Sequence, residues 1–140
     1  MREFAPASAE AMVDLGAELV KLLAPGDIVL LSGELGAGKT TLVRGMLQGV
    51  GYDGPVRSPT FNILQEFSTS PPILHVDLYR LNSGDGVGIE DYFGTHFCLI
   101  EWPDRWPELA YFGRPIHVEI EFDGSARKVT VRGLDGPVQS

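Results

Sequence analysis

Residues 33–40 read Gly-Glu-Leu-Gly-Ala-Gly-Lys-Thr, and no other stretch constrains the fold of this chain so strongly. The pattern is a glycine, four residues, then Gly-Lys-Thr, and it holds phosphate in one setting only. A strand must deliver the loop, and a helix must begin where the loop ends. Glycines let the backbone take positive φ and bring N–H groups close to phosphate oxygens. Those N–H groups form an anion nest at a helix N-terminus, where the helix dipole adds partial positive charge. Lys39 then reaches the β- and γ-phosphates, and the Thr40 hydroxyl can ligate Mg²⁺. The flanks supply the setting. Asp27-Ile28-Val29-Leu30-Leu31 is a short apolar run suited to a buried parallel strand. After the loop, Leu42, Val43, Met46, Leu47 and Val50 recur at helical spacing, and Gly51 is placed to stop the helix.

A chain of 140 residues predicts one domain built on a single core. The net charge is −8, from 11 basic and 19 acidic residues. That balance argues against nucleic acid as a direct, stand-alone ligand, because neutralising phosphates dominates such affinity. It leaves open a role beside a protein that holds the RNA. Cys98 is the single cysteine and lies in the apolar run Phe97-Cys98-Leu99-Ile100. No disulfide can form within the chain, which fits a reducing compartment, and a buried structural thiol is expected. No zinc-ligand spacing occurs. The N-terminus lacks the apolar core of a signal peptide, and no run approaches the roughly 18 apolar residues of a membrane span. The expected location is the cytoplasm.

Along the chain, residues 8–24 predict a helix capped by Ser8, with Met12, Leu15, Leu19, Leu22 and Leu23 as its apolar stripe. Pro25-Gly26 ends it. Strands are predicted at 60–67, 73–79 and 97–101, with loops at 68–72 and 83–88. Ile116, Val118, Ile120 and Phe122 alternate with polar residues, which is a half-exposed strand. Asp123-Gly124 turns it into Lys128–Arg132, a C-terminal antiparallel hairpin. The sum is one α/β domain over residues 1–132, a mixed sheet with a parallel centre. Residues 133–140 read as a loose tail.

Hydrolysis at such a loop needs an acidic group near Mg²⁺ and something to position the attacking water. Two apolar strands deliver carboxylates to their C-terminal ends, where ligands bind in open α/β sheets. They are Asp77, after Ile73-Leu74-His75-Val76, and Glu101, after Phe97-Cys98-Leu99-Ile100. The residue types do not assign which acid meets the metal and which orients water. Ser58-Pro59-Thr60 occupies a connection where nucleotide-sensing loops sit, so Thr60 is a candidate hydroxyl donor. Arg57 and Arg80 are candidates to stabilise charge on a transferred phosphoryl group. His75, His96 and His117 lack metal-ligand spacing and read as structural. Trp102 and Trp106 read as packing residues. No guanine-reading Asn-Lys-x-Asp element occurs, which favours adenine.

The pieces LSGELGAGKTTLVRG, RSPTF, HVDLYRL, EDYF and LIEWPDRW, in this order, resemble the TsaE (YjeE) family of bacterial ATPases in tRNA threonylcarbamoyladenosine synthesis. With the opening helix and the terminal hairpin, the resemblance covers nearly the whole chain. It implies a P-loop NTPase domain that binds ATP and Mg²⁺. It also implies work with a TsaB–TsaD pair, with tRNA reached through that complex. By this resemblance Gly36, Gly38, Lys39, Thr40 and Thr41 hold the phosphates, and Gly33, Glu34, Leu35 and Ala37 complete the loop. Thr40 and Glu101 coordinate Mg²⁺, Asp77 acts in hydrolysis, and Thr60 lies on a switch-like loop. Adenine sits between the opening helix and the hairpin, with Ser8 and Arg132 as candidates. One departure is the glycine-rich stretch 82–88, where the family usually carries a short acidic helix. Another is Phe67, where tyrosine is common.

Two rival functions remain. A small-molecule kinase would carry an arginine-rich lid and an acceptor pocket, whereas the arginines here are scattered from Arg2 to Arg132. A non-catalytic nucleotide-binding module would hold ATP without hydrolysing it.

Overall fold

The structure is a computed structural model that describes residues 1–24, 26–34, 36–52, 54, 64–79, 89–111 and 114–134. In chain order the elements are β1 (Arg2–Phe4), α1 (Ala9–Val20), β2 (Ile28–Gly33), α2 (Lys39–Gly49), β3 (Leu64–Phe67), β4 (Ile73–Asp77), β5 (Phe97–Glu101), β6 (Ile116–Asp123) and β7 (Ala126–Arg132). Short 3₁₀ turns at Ile89–Tyr92, Pro103–Arg105 and Pro107–Tyr111 lie between β4 and β6.

The seven strands form one sheet in the order β1-β7-β6-β2-β5-β4-β3. The centre is parallel: β2 pairs with β5 and β6, and β4 pairs with β5. Antiparallel strands close both sides, β7 and β1 on one and β3 on the other. This is the P-loop NTPase domain with parallel centre and C-terminal hairpin that the sequence predicts.

Central strands are predominantly apolar because both faces are covered. Val29, Leu31, Ile73 and Leu99 join the cluster formed with α1 and α2. Ile28, Leu30, Leu74, Val76 and Ile100 join the opposite cluster, with Ile89, Trp106 and Leu109 from the 3₁₀ turns. Cys98 belongs to that second cluster, and burial pushes its thiol up to about 12. Phe67 is buried and meets Tyr52 edge-on, with ring centroids 5.0 Å apart.

Helices α1 and α2 pack so closely that glycine is required at the crossing. A Cβ on Gly45 would lie 2.1 Å from the Val13 carbonyl oxygen, and one on Gly16 would lie 2.4 Å from that of Leu42. Backbone therefore meets backbone, and α1 is fixed against the helix that begins at Lys39.

Some boundaries differ from expectation. Ser8 caps α1 as predicted, its Oγ accepting from the Ala11 N–H at 3.0 Å. The helix stops at Val20 rather than residue 24, because Leu22 and Leu23 bond back to Leu19 and Val20 in tighter i→i−3 turns. The Asp27 carboxylate then takes the Ala24 N–H at 2.8 Å, so β2 starts one residue later than expected. Strand β4 ends at Asp77, whose Oδ1 accepts from the Tyr79 N–H at 2.9 Å and turns the chain out of the sheet. Strand β3 begins at Leu64, and the expected strand over 60–63 lies outside the described residues, as do Arg57, Thr60, Arg80 and the stretch 82–88.

Candidate functional site

Strand β2 runs into the loop at Gly33, and α2 begins at Lys39. A side chain at Gly33 would strike the Ile120 carbonyl oxygen at 2.8 Å, so β6 approaches too closely for any other residue. Gly36 and Gly38 take φ of 81° and 115°, the left-handed region that favours glycine. Gly38 is the N-cap of α2 and supplies no side-chain cap. Glu34 is exposed, and its carbonyl accepts from the Ala37 N–H at 3.0 Å. Leu35 lies outside the described residues. The result is an open loop at an uncapped helix start, the form that concentrates positive potential.

Lys39 is buried, and its Nζ donates to the Gly33 carbonyl. The same ammonium lies 3.9 Å from the centre of the Trp102 ring. Trp102 holds φ 60° and ψ 52°, a left-handed conformation that costs a tryptophan about 1–2 kcal/mol. Its indole also tilts against Tyr79 at 4.8 Å. Burial lowers the Lys39 pKa from its ordinary value, and the charges of Glu101, Asp77 and Asp104 oppose that shift.

Asp77 and Glu101 close β4 and β5 in register, each the Cα partner of the other. Strand β5 lies beside β2 and β4 lies beside β5, all three parallel, so the two acids share the sheet edge that carries the loop. Burial raises the Asp77 pKa; Glu101 adds to the rise, and the Tyr79 N–H, His75 and Lys39 oppose it. Glu101 is buried, and its Oε2 meets His75 Nε2 at 2.6 Å.

A cleft of about 160 Å³ opens beside the loop. Its lining includes Pro6, Ser8 and Met12 from the start of the chain and α1, Gly36, Gly38 and Thr41 from the loop and α2, and Ser125 and Arg127 from the hairpin. Arg127 donates from Nε to the Ala37 carbonyl at 3.1 Å, and its guanidinium lies 4.5 Å from the Phe122 ring. Phe122 is 48% exposed, so the guanidinium that lines the cleft is backed by an aromatic ring. Such surfaces stack with planar, π-rich ligands.

The structure thus gathers Gly33, Glu34, Gly36, Ala37, Gly38, Lys39, Thr40 and Thr41 at one end of the sheet, with Asp77 and Glu101 at the same edge and Ser8 across the cleft. Arg132 is not brought to this edge. It pairs with His117, which pairs with Leu30, and its guanidinium meets Glu119 at 3.9 Å. Five residues of strand, about 16 Å, separate it from Arg127. Arg127 is the residue that sequence reasoning missed. A signal for it exists: Arg127, Val129 and Val131 share one strand face, so a cation stands in an inward series. Trp102, expected only to pack, meets the loop lysine, and no periodicity marks that contact.

A profile for Threonylcarbamoyl adenosine biosynthesis protein TsaE matches residues 6–130, which takes in the loop, both acids and most of the hairpin. The chain belongs to the TsaE family. The tRNA threonylcarbamoyladenosine biosynthesis protein TsaE of Streptomyces coelicolor is 40% identical over 134 residues, covering 88% of this chain and 90% of that protein. The TsaE of Haemophilus influenzae is 49% identical over 83 residues, 56% of this chain and 52% of that protein. The crystal structure of Bacillus subtilis YdiB superposes with a TM-score of 0.77 at 28% identity, covering 96% of this chain and 86% of YdiB. No helix among the described residues is long and apolar enough to cross a membrane.

Proposed function

We propose that this TsaE-family chain is a Mg²⁺-dependent ATPase of tRNA threonylcarbamoyladenosine biosynthesis, acting with a TsaB–TsaD pair and supporting its turnover. The observation that carries the reading is the meeting of three charges at one sheet edge: Lys39 on the loop, and Asp77 and Glu101 on neighbouring strand ends. The triphosphate lies along the loop N–H groups, and Lys39 leaves the Gly33 carbonyl to neutralise the β- and γ-phosphates. Asp77, as its carboxylate, orients the attacking water and accepts its proton. Thr60, outside the described residues, is the further hydroxyl that the family resemblance implies for this chemistry.

The residues present suit Mg²⁺. Thr40 and Glu101 would hold it through hard oxygen donors, and Glu101 keeps Oε1 beyond the bond that His75 makes to Oε2. Among the described residues no group of three or more His, Cys, Asp or Glu side chains forms an all-protein cage, and Mg²⁺ takes substrate phosphates and water for the rest of its shell. When bound, the ion supplies charge neutralisation on phosphate oxygens. The base enters the cleft between Ser8 and the hairpin, with Arg127 rather than Arg132 at its side.

Few groups on so small a domain are available to stabilise a transition state, so hydrolysis alone is slow and the partner pair accelerates it. Phosphate release measured with and without TsaB–TsaD tests this. Stimulation is the expected result. A panel of acceptors that takes up label from γ-labelled ATP would instead establish a kinase. No release even with bound partners would leave a nucleotide-holding module.

A further inference from the structure

We infer that His75 is a positioning residue that sets the Glu101 carboxylate for a divalent cation; this rests on Glu101 being a metal ligand, as proposed above. Glu101 and His75 are 2% and 0% exposed. A carboxylate buried so deeply needs a hydrogen-bond donor. His75 provides it across 2.6 Å, a short contact even for a bond to a charged acceptor.

Register shows what the bond does to the side chain. The Cα partner of Glu101 is Asp77, whereas that of His75 is Leu99. The bond therefore runs diagonally between the strands, joining the Glu101 carboxylate to a ring whose residue stands two positions short of its own level. Without His75, the same side chain is free to extend past the strand end. The bond thus selects one rotamer of the acid.

The ring itself is assigned by its other nitrogen. Nδ1 is buried and has no partner among the described residues. A proton there would be a buried donor without an acceptor, which is costly. The hydrogen belongs on Nε2, facing Glu101 Oε2. With Oε2 held, Oε1 is presented to the cation singly, as the octahedral shell of Mg²⁺ prefers. A buried pair of this kind adds little net stability over apolar side chains of equal volume. Holding a ligand oxygen in place gives it a use, since hydrogen-bond partners of metal ligands typically change metal affinity 10- to 100-fold, on the order seen across such sites.

The test uses the full chain with ADP bound and Mn²⁺ as an EPR-visible probe. His75→Leu keeps the volume and removes the donor. His75→Gln places an amide N–H near the Nε2 position and carries no charge. Leucine should weaken Mn²⁺ binding roughly 10- to 100-fold. ADP affinity in EDTA should stay within about 2-fold, and glutamine should restore Mn²⁺ binding to within about 3-fold. Parent-like Mn²⁺ affinity in the leucine variant overturns the inference, as does a glutamine variant no better than leucine. If the leucine variant does not fold, NMR of the parent decides. The Hε2 resonance of His75 should persist when Mg·ADP is added; its loss as metal enters means that Glu101 abandons the ring. A parent that binds ADP but no metal defeats the reading of Glu101 first, and this inference with it.

Discussion

Asp77 and Glu101 face each other across the last rung of β4 and β5, two acids on adjacent strands at the edge that carries the loop. Their environments differ. Glu101 is buried against His75, while Asp77 is only partly covered and is held by the Tyr79 N–H. Two neighbouring carboxylates in unlike surroundings can take unlike chemical roles.

Asp77→Asn separates activity from stability. Removing a general base should slow phosphate release by about 100-fold or more, with ATP affinity within about 3-fold of the parent. Burial raises the Asp77 pKa, so the folded protein favours its neutral form. As pH rises, the unfolded chain loses this proton first. The carboxylate therefore costs stability from its unfolded pKa upward, and the cost is complete above the folded pKa. The uncharged amide of the variant escapes it. The substituted protein should melt higher than the parent at neutral pH and no higher well below the unfolded pKa. In the parent, release should fall on the acid side at a pH above the ordinary aspartate range. Melting curves and rate profiles across pH check both limbs.

Lys39 should couple nucleotide binding to proton uptake in alkaline buffer. Burial lowers its pKa from the ordinary 10.5 in the free protein. A triphosphate beside the ammonium raises that pKa again. Mg·ATP affinity should therefore fall as pH climbs through the free-protein value, by at most about tenfold per unit. Calorimetry in buffers of different ionisation heat measures the proton directly. Lys39→Met should bind more weakly and show no uptake from this group.

Gly45→Ala should destabilise the whole chain. The new methyl would stand 2.1 Å from the Val13 carbonyl oxygen, with both helices fixed backbone to backbone. Overpacking of this kind costs about 3 kcal/mol. Urea unfolding should show the midpoint falling at an unchanged slope.

Arg127→Ala removes the bond to the Ala37 carbonyl and the cation above Phe122. ATP and ADP affinity should drop about 5- to 10-fold, in line with about 1 kcal/mol for a hydrogen bond. Arg132→Ala should leave affinity within about 2-fold, since its side chain pairs with Glu119 far from the cleft. Isothermal titration of the two variants checks the contrast.

Local pattern made much of this legible. The run Phe97–Glu101 is the observed β5 residue for residue, because a strand covered on both faces is written as unbroken apolar sequence ending in a polar one. Ser8 announced its cap because the requirement is met within three residues. What stayed hidden depends on partners distant in sequence. Strand β1 is three residues long and exists only by pairing with β7. His75 looked structural because its acceptor, Glu101, lies 26 residues away. Trp102 reaches Lys39 through a left-handed backbone that tryptophan does not advertise. Strand β2 started late for a local reason, the Asp27 carboxylate drawing on the Ala24 N–H, but an aspartate after Pro-Gly is ambiguous between turn and strand start.

The hydrogen bond from Arg127 to Ala37 joins groups 90 positions apart. On the ribosome, the glycine segment emerges long before the arginine that fastens it. A growing polypeptide displays the loop with no closing strand beside it, and the fastening waits until β7 has been made. Fragments clipped ahead of β7 should therefore be poor competitors for nucleotide, even with every residue of the Gly-Lys-Thr segment intact.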